Sequence, residues 1–245
     1  MSRLLWKNLL IPDMQVPATT LVDDVYGETL ENVRQIALSN EQITIPEAKA
    51  FRSMSRSSLL LSHICMEAQP LFDQAMQTSP FNLGVYCATE NGPIDGPTTA
   101  KILQNSDKDF SEIYRKLRNP KMYLKQLPNL IPAQLGIFMG MQGPLNVYTH
   151  AGMGSVHALE QAEHDLQNGL VEYALVCTTS AFDDYLVVKR NKQLDPRCLS
   201  EGAGAMLLQA DQTWTPWFDM IKSDKNNYFG ISDAIINLIR GDIVC

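Results

Sequence analysis

Residues 142–166 read QGPLNVYTHAGMGSVHALEQAEHDL, and this stretch decides how the rest of the chain is read. Leu145–Thr149 is an extended run. A tight turn of small residues follows it. From Ser155 the apolar spacing becomes helical, and Gly169 stops the helix just beyond Asn168. A strand–turn–helix elbow presents its tip to the N-terminus of a buried helix, where the positive end of the helix dipole would activate a nucleophile. The tip here is Ala151-Gly152-Met153-Gly154, which holds no nucleophile. The sequence has the outline of a catalytic elbow without its reacting group.

Outward from the elbow, Asn82–Ala88 (NLGVYCA), Glu172–Thr179 and Gly202–Gln209 are apolar runs of strand length. The loop Glu90–Pro97 is marked by its Gly and Pro residues. Arg52–Met76 reads as one long helix, with Leu59, Leu60, His63, Ile64 and Met66 on or near one face. Thr98–Leu117 and Ile131–Met139 are helical. Pro132 sits in the first turn of the second, where its missing N–H costs nothing. Ile231–Arg240 is a terminal helix with Ile235, Leu238 and Ile239 inward. Met1–Ile45 reads as irregular apart from a short helix at Thr29–Ser39. Pro120–Leu130 also reads as irregular, and Trp217–Lys222 as a further strand. Strands alternating with helices predict an α/β fold, a mainly parallel sheet with helices on both faces.

The 245 residues are 45% hydrophobic and 19% charged, an ordinary globular composition with enough apolar residues for a sizeable core. The net charge of −7 excludes a general nucleic-acid footprint. One local basic group, Arg115, Lys116, Arg118, Lys121 and Lys125, suits an acidic acyl-carrier protein, or simply a solvated helix face. The five cysteines, Cys65, Cys87, Cys177, Cys198 and Cys245, are odd in number, irregularly spaced and without a CxxC pair. They read as reduced thiols of a cytoplasmic protein, with Cys65, Cys87 and Cys177 as buried fillers. The N-terminus lacks the features of a signal peptide, and no run reaches the roughly 20 apolar residues of a membrane span.

The ordered motifs resemble the N-terminal half of a β-ketoacyl-ACP synthase, in the thiolase fold. Asn82-Leu-Gly-Val resembles that family's first core strand, and Gly92 its following glycine loop. Leu127–Gln134 resembles the segment under the active site, and Met141-Gln-Gly143-Pro144 the turn into the elbow strand. Ser155-Val-His157-Ala-Leu resembles the start of the nucleophile helix, and Gly169–Val176 the strand after it. Glu201–Gln209 resembles the family's "GEGAG" strand. Each motif alone is weak; their order over residues 52–209 gives the resemblance its weight. It implies one ketosynthase-like domain over 1–245, made of a segment at 1–45, the core at 52–209 and a short extension at 211–245.

The resemblance also locates two departures. It places the family's acyl-accepting cysteine at Gly152, which offers no thiolate. The family's second half supplies two histidines, whereas Asp211–Cys245 contains none. The expectation is a chain without ketosynthase activity, with no catalytic residue, cofactor or metal of its own. Within the family, such inactive partners of active synthases are chain-length factors. This chain resembles a short one, such as the small ketosynthase-like subunit of bacterial aryl polyene systems. The implied partner is an active full-length β-ketoacyl synthase of a type II polyketide or fatty-acid pathway, with an acyl-carrier protein reached indirectly through it.

The family dimerises along the elbow strand, so Leu145, Asn146, Val147, Tyr148, Thr149 and His150 are the implied interface. Met122, Tyr123, Leu124, Leu127, Leu130 and Phe138 are the implied contacts with the partner's acyl tunnel, with ordinary core as the alternative. Gly152 and Gly154 could equally be a plain tight turn. His157, Glu160 and His164 fall at i, i+3 and i+7, a spacing that allows a metal but equally fits a partly exposed polar face. Trp214 and Trp217 could cover a bare sheet surface or belong to the core. A second class of function would be a divergent acyltransferase or hydrolase using His150 with Cys198 or Ser155.

Overall fold

The computed structural model describes the chain apart from residues 1, 23–26, 44, 46–52, 91, 93–95, 106–108, 118–119, 212–220 and 242–245. Three apolar runs form the central strands, β4 (Leu83–Thr89), β6 (Tyr173–Ser180) and β8 (Gly202–Ala210). They lie in a five-stranded sheet of order β1-β8-β6-β4-β5, with β1 at Ser2–Leu10 and β5 at Leu145–Tyr148. β4 pairs in parallel with both β5 and β6, while β8 is antiparallel to both β6 and β1. Four strands therefore run one way and β8 alone opposes them.

Side chains alternate across a pleated strand, so each strand feeds two cores. Leu83, Val85, Cys87, Leu175, Cys177, Ala205 and Leu207 face one side. They pack there against α1 (Arg56–Met66), α2 (Gln69–Ala75) and α6 (Leu130–Met139). Tyr86, Ala88, Ala174, Val176, Met206 and Leu208 face the other. They meet α7 (Gly154–Gln167) and Ile235, Leu238 and Ile239 of a terminal helix, Asp233–Arg240. The arrangement is helix, sheet, helix. Fully burying each such Leu, Ile or Val contributes roughly 1.5–3 kcal/mol.

A smaller sheet of order β2-β3-β7-β9 joins the hairpin β2 (Thr19–Val22) and β3 (Thr29–Arg34) to β7 (Cys198–Ser200) and β9 (Asn227–Tyr228). Val33, Leu199, Tyr228, Phe182 and Val188 form its core. Val188 belongs to α8 (Tyr185–Leu194), whose start is capped by the Asp184 carboxylate accepting from the Leu186 and Val187 N–H groups.

A buried ion pair anchors α1 to Glu201, the residue that joins β7 of the smaller sheet to β8 of the larger. Arg56 donates from Nε and Nη2 to the two Glu201 oxygens, both at 2.8 Å, with the side chains 9% and 0% exposed. Glu201 also accepts from the N–H groups of Ile36 (2.8 Å) and Phe182 (3.1 Å). Arg56 further donates to the carbonyls of Ile36 and Leu38 and to Asn40 Oδ1, each at 3.0 Å.

The structure corrects several sequence expectations. Residues 1–45 are not irregular: they supply β1, β2 and β3. Thr29–Ser39 is not a helix, since Thr29–Arg34 is strand β3. The long helix expected to Met76 breaks after Met66, and Pro70 opens the first turn of α2. Thr98–Leu117 divides into α3 (Gly96–Leu103) and α4 (Phe110–Leu117). Most of Pro120–Leu130 is helix α5 (Pro120–Gln126). The strand expected at Trp217–Lys222 falls largely outside the described residues, as do Trp214, Trp217 and Cys245, and Ile221 and Lys222 are not in a strand. The terminal helix, here α9 (Asp233–Arg240), follows a 3-10 turn at Gly230–Ser232.

Candidate functional site: the β5–α7 elbow

β5 is the outermost strand on its side of the sheet. Val85 N–H donates to Pro144 O (2.7 Å), and Val85 stands opposite Leu145. In a parallel ladder this turns the backbone groups of Asn146 and Tyr148 toward β4 and those of Leu145 and Val147 outward. Leu145 is 40% exposed, Asn146, Val147 and Tyr148 are half-buried, and Thr149 and His150 are exposed. The six residues expected at an interface thus form a continuous open edge.

The turn into β5 depends on Gly143. A Cβ there would stand 2.1 Å from Leu83 O and 3.0 Å from Phe81 O, both backbone atoms that cannot swing aside. Gly143→Ala is expected to cost about 1–3 kcal/mol by overpacking and to loosen β5 from β4. Chemical denaturation, with hydrogen exchange at Asn146 and Tyr148, measures both effects.

At the tip, the N–H groups of Met153 and Gly154 donate to His150 O at 3.3 and 2.8 Å. Gly152 has φ +84°, and nothing lies within 4 Å of where its Cβ would be. The helix begins at Gly154 with no side-chain cap. A loop before α9 lies beneath it: Ser155 Oγ donates to Ile231 O, and a Cβ on Gly154 would meet the Ile231 side chain at 2.7 Å. Below this, Thr178 and Ser180 hydroxyls each lie 2.8 Å from Ser232 Oγ, and Ser180 Oγ also donates to Phe229 O (2.7 Å). The sequence offered little warning of this loop beyond Gly230, which takes a left-handed φ of +59°.

Among the described residues no thiol faces the tip. Cys87 and Cys177 stand opposite each other on β4 and β6, fully buried. A hydrogen bond to Cys177 and burial push the Cys87 thiol well up, and burial does the same to Cys65. Cys198 lies on β7 of the smaller sheet, its Sγ 3.3 Å from Asn32 O. The Ser155 hydroxyl is taken by Ile231 O. His150 meets His157 instead, with ring centroids 6.4 Å apart. Among the described residues no hydrogen bond joins His150 to Cys198 or to Ser155.

His157, Glu160 and His164 are exposed along one side of α7, and His164 Nδ1 lies 3.2 Å from Asp165 Oδ1. Among the described residues no group of three or more His, Cys, Asp or Glu side chains could hold a metal ion. The six expected tunnel contacts fall on α5, α6 and the turn between them. None is buried within the chain: Tyr123 is 63% and Leu124 39% exposed, and Met122, Leu127, Leu130 and Phe138 are half-buried. Phe138 packs on the margin of the larger core.

The layered α/β fold, with an edge strand running into a glycine elbow and a buried helix, fits the thiolase-like architecture that the resemblance implies. The family model for the β-ketoacyl synthase N-terminal domain matches residues 2–213, and the chain belongs to that family. No curated protein sequence matches it. Among solved structures it is similar to the ketosynthase ApeO in complex with its chain length factor ApeC from Xenorhabdus doucetiae, at 14% identity and a TM-score of 0.61. That match covers 86% of this chain and 58% of the other. A type II polyketide ketosynthase complex with its acyl-carrier protein, AntDE:AntF, matches at 15% identity and a TM-score of 0.57, over 74% of this chain and 54% of the other. A β-ketoacyl synthase from Burkholderia phymatum matches at 16% identity and a TM-score of 0.52, over 68% and 45%. The chain spans little more than half the length of the first two structures. Among the described residues no helix is long and apolar enough to cross a membrane.

Proposed function

We propose that this chain is a non-catalytic, chain-length-factor-like subunit. It pairs through β5 with an active β-ketoacyl synthase, stabilises it and shapes its acyl tunnel in type II polyketide or fatty-acid biosynthesis. The observation that carries the proposal is the elbow: an open strand edge running into a tip that holds Gly152 where the family resemblance puts the nucleophile. The exposed side chains of α5 support the tunnel role, because a monomer gains nothing by leaving Tyr123 and Leu124 in water. The resemblance to the small subunit of aryl polyene systems favours a pathway of that kind. An acyl-carrier protein would meet the pair through the synthase, and the cytoplasm is the compartment of such pathways.

Two measurements test this. Co-expressed with a full-length synthase, the chain should copurify with it in a fixed ratio. Incubated alone with an acyl thioester or a cerulenin-type label, it should keep its unmodified mass. Gly152→Cys should not create turnover, because one thiol does not replace a catalytic set that acts as a unit. That substitution also places a side chain at φ +84°, costing roughly 1–2 kcal/mol. Acylation of the unaltered chain, or failure to bind any synthase, would overturn the reading.

A further inference from the structure

The chain is acidic, yet residues 101–126 carry seven basic residues and three acids. Of the acids, Glu112 pairs with Lys116 at 2.5 Å on the exposed side of α4, and Asp109 is exposed just before it. Arg115, Lys116 and Lys121 are exposed. On the same short helix Phe110 and Tyr114 stand one turn apart, 62% and 47% exposed, with their rings stacked at 5.8 Å and 11°. Ile113 turns inward and is buried. On the preceding helix α3, Leu103 is 52% exposed and Lys101 is exposed.

We infer that α4, with its basic neighbours, rests on an anionic lipid bilayer surface. Positive charge over headgroups draws the surface in, and aromatic side chains that are apolar in the body and wet at the rim settle at the level of the headgroups. A cavity of about 390 Å³ beside α4 is lined by Asn105, Asp109, Glu112, Ile113, Lys116 and Leu117. Phe110 and Tyr114 are not among its walls, so the rings stand outside the cleft. This favours a broad apolar boundary over a protein segment seated in a groove. The contact is peripheral. It is centred on α4, and variants confined to α4 leave β5, α5 and α6 unaltered, which separates it from the proposed synthase interface.

The test is sedimentation of the full chain, together with its synthase where the two copurify. Vesicles of mixed phosphatidylglycerol and phosphatidylcholine are compared with phosphatidylcholine alone. The chain should sediment with the anionic vesicles and not with the neutral ones, and raising salt to roughly 0.5 M should release it. Phe110→Ser with Tyr114→Ser, and separately Arg115→Glu with Lys116→Glu, should each weaken binding roughly tenfold or more. Thermal melting should stay close to that of the unaltered chain, since all four side chains are exposed. Absence of sedimentation with anionic vesicles, or sedimentation of both double variants equal to that of the unaltered chain, overturns the inference. So does a chain indifferent to vesicles that binds an acidic carrier protein through these same residues.

Discussion

Glu201→Ala is expected to destabilise the chain by about 3–5 kcal/mol, the cost of leaving a buried charge without its partner. Arg56 is 9% exposed, and both of its bonds to Glu201 measure 2.8 Å. Removing the carboxylate strands the guanidinium and also the N–H groups of Ile36 and Phe182, each a buried donor with nowhere else to turn. A typical domain has only about 5–15 kcal/mol in total, so the variant should be prone to unfolding at ordinary temperature. Urea denaturation measures the loss. Arg56→Lys separates charge from geometry: it keeps the positive charge but cannot fork across two oxygens and three further acceptors. It should fall between the unaltered chain and Glu201→Ala. Removing both charges with Arg56→Met and Glu201→Leu should cost less than the sum of the single changes, because no lone charge remains. It should still not be neutral, since the backbone groups of Ile36, Leu38 and Phe182 stay unpaired. A loss below about 1 kcal/mol for Glu201→Ala would show that solvent reaches the pair.

This clamp was invisible in the sequence for a reason that applies to the whole N-terminal segment. Glu201 and Arg56 are 145 residues apart, and no periodicity reports a pairing at that range. The segments that were legible are those whose burial is uniform or strictly periodic. β4 along almost its whole length and β6 over its first five residues are apolar because helices cover both faces, and α7 shows its buried face at Ala158, Leu159, Ala162 and Leu166. β1 was missed because its pattern is interrupted. Leu4 stands opposite Leu208 and Trp6 opposite Leu207, so Leu5 is an extra residue that shifts the alternation by one. β3 read as a helix because Leu30, Val33 and Ile36 are three apart. In the structure Val33 faces the small core of the second sheet, whereas Ile36 lies past the end of the strand and joins the larger core. The elbow was legible in full, since glycines at a turn and helical spacing after it are local properties. What lies beneath it, the Ile231 carbonyl on Ser155, depends on a loop 76 residues away.

Val147→Pro is expected to leave the chain folded and to reduce its capture of a synthase by at least roughly tenfold. The argument rests on which way each amide of β5 points. Asn146 and Tyr148 are committed to β4, and Val147 turns its N–H and C=O to the open edge. A proline at Val147 removes a donor that the isolated chain gives only to solvent, and edge strands tolerate this. In a continuous sheet across two subunits the same donor is needed, and the ring obstructs the approaching strand. The loss therefore appears in association and hardly at all in stability. Asn146→Pro reverses the pattern. Its missing N–H belongs to the β4 ladder, so that variant should lose about 3 kcal/mol or more of stability before any partner is added. Denaturation of each variant, set beside its copurification with the synthase, separates the two effects. If Val147→Pro binds undiminished, the elbow strand is not the shared edge, and the exposed faces of α5 and α6 would have to carry the interface without it.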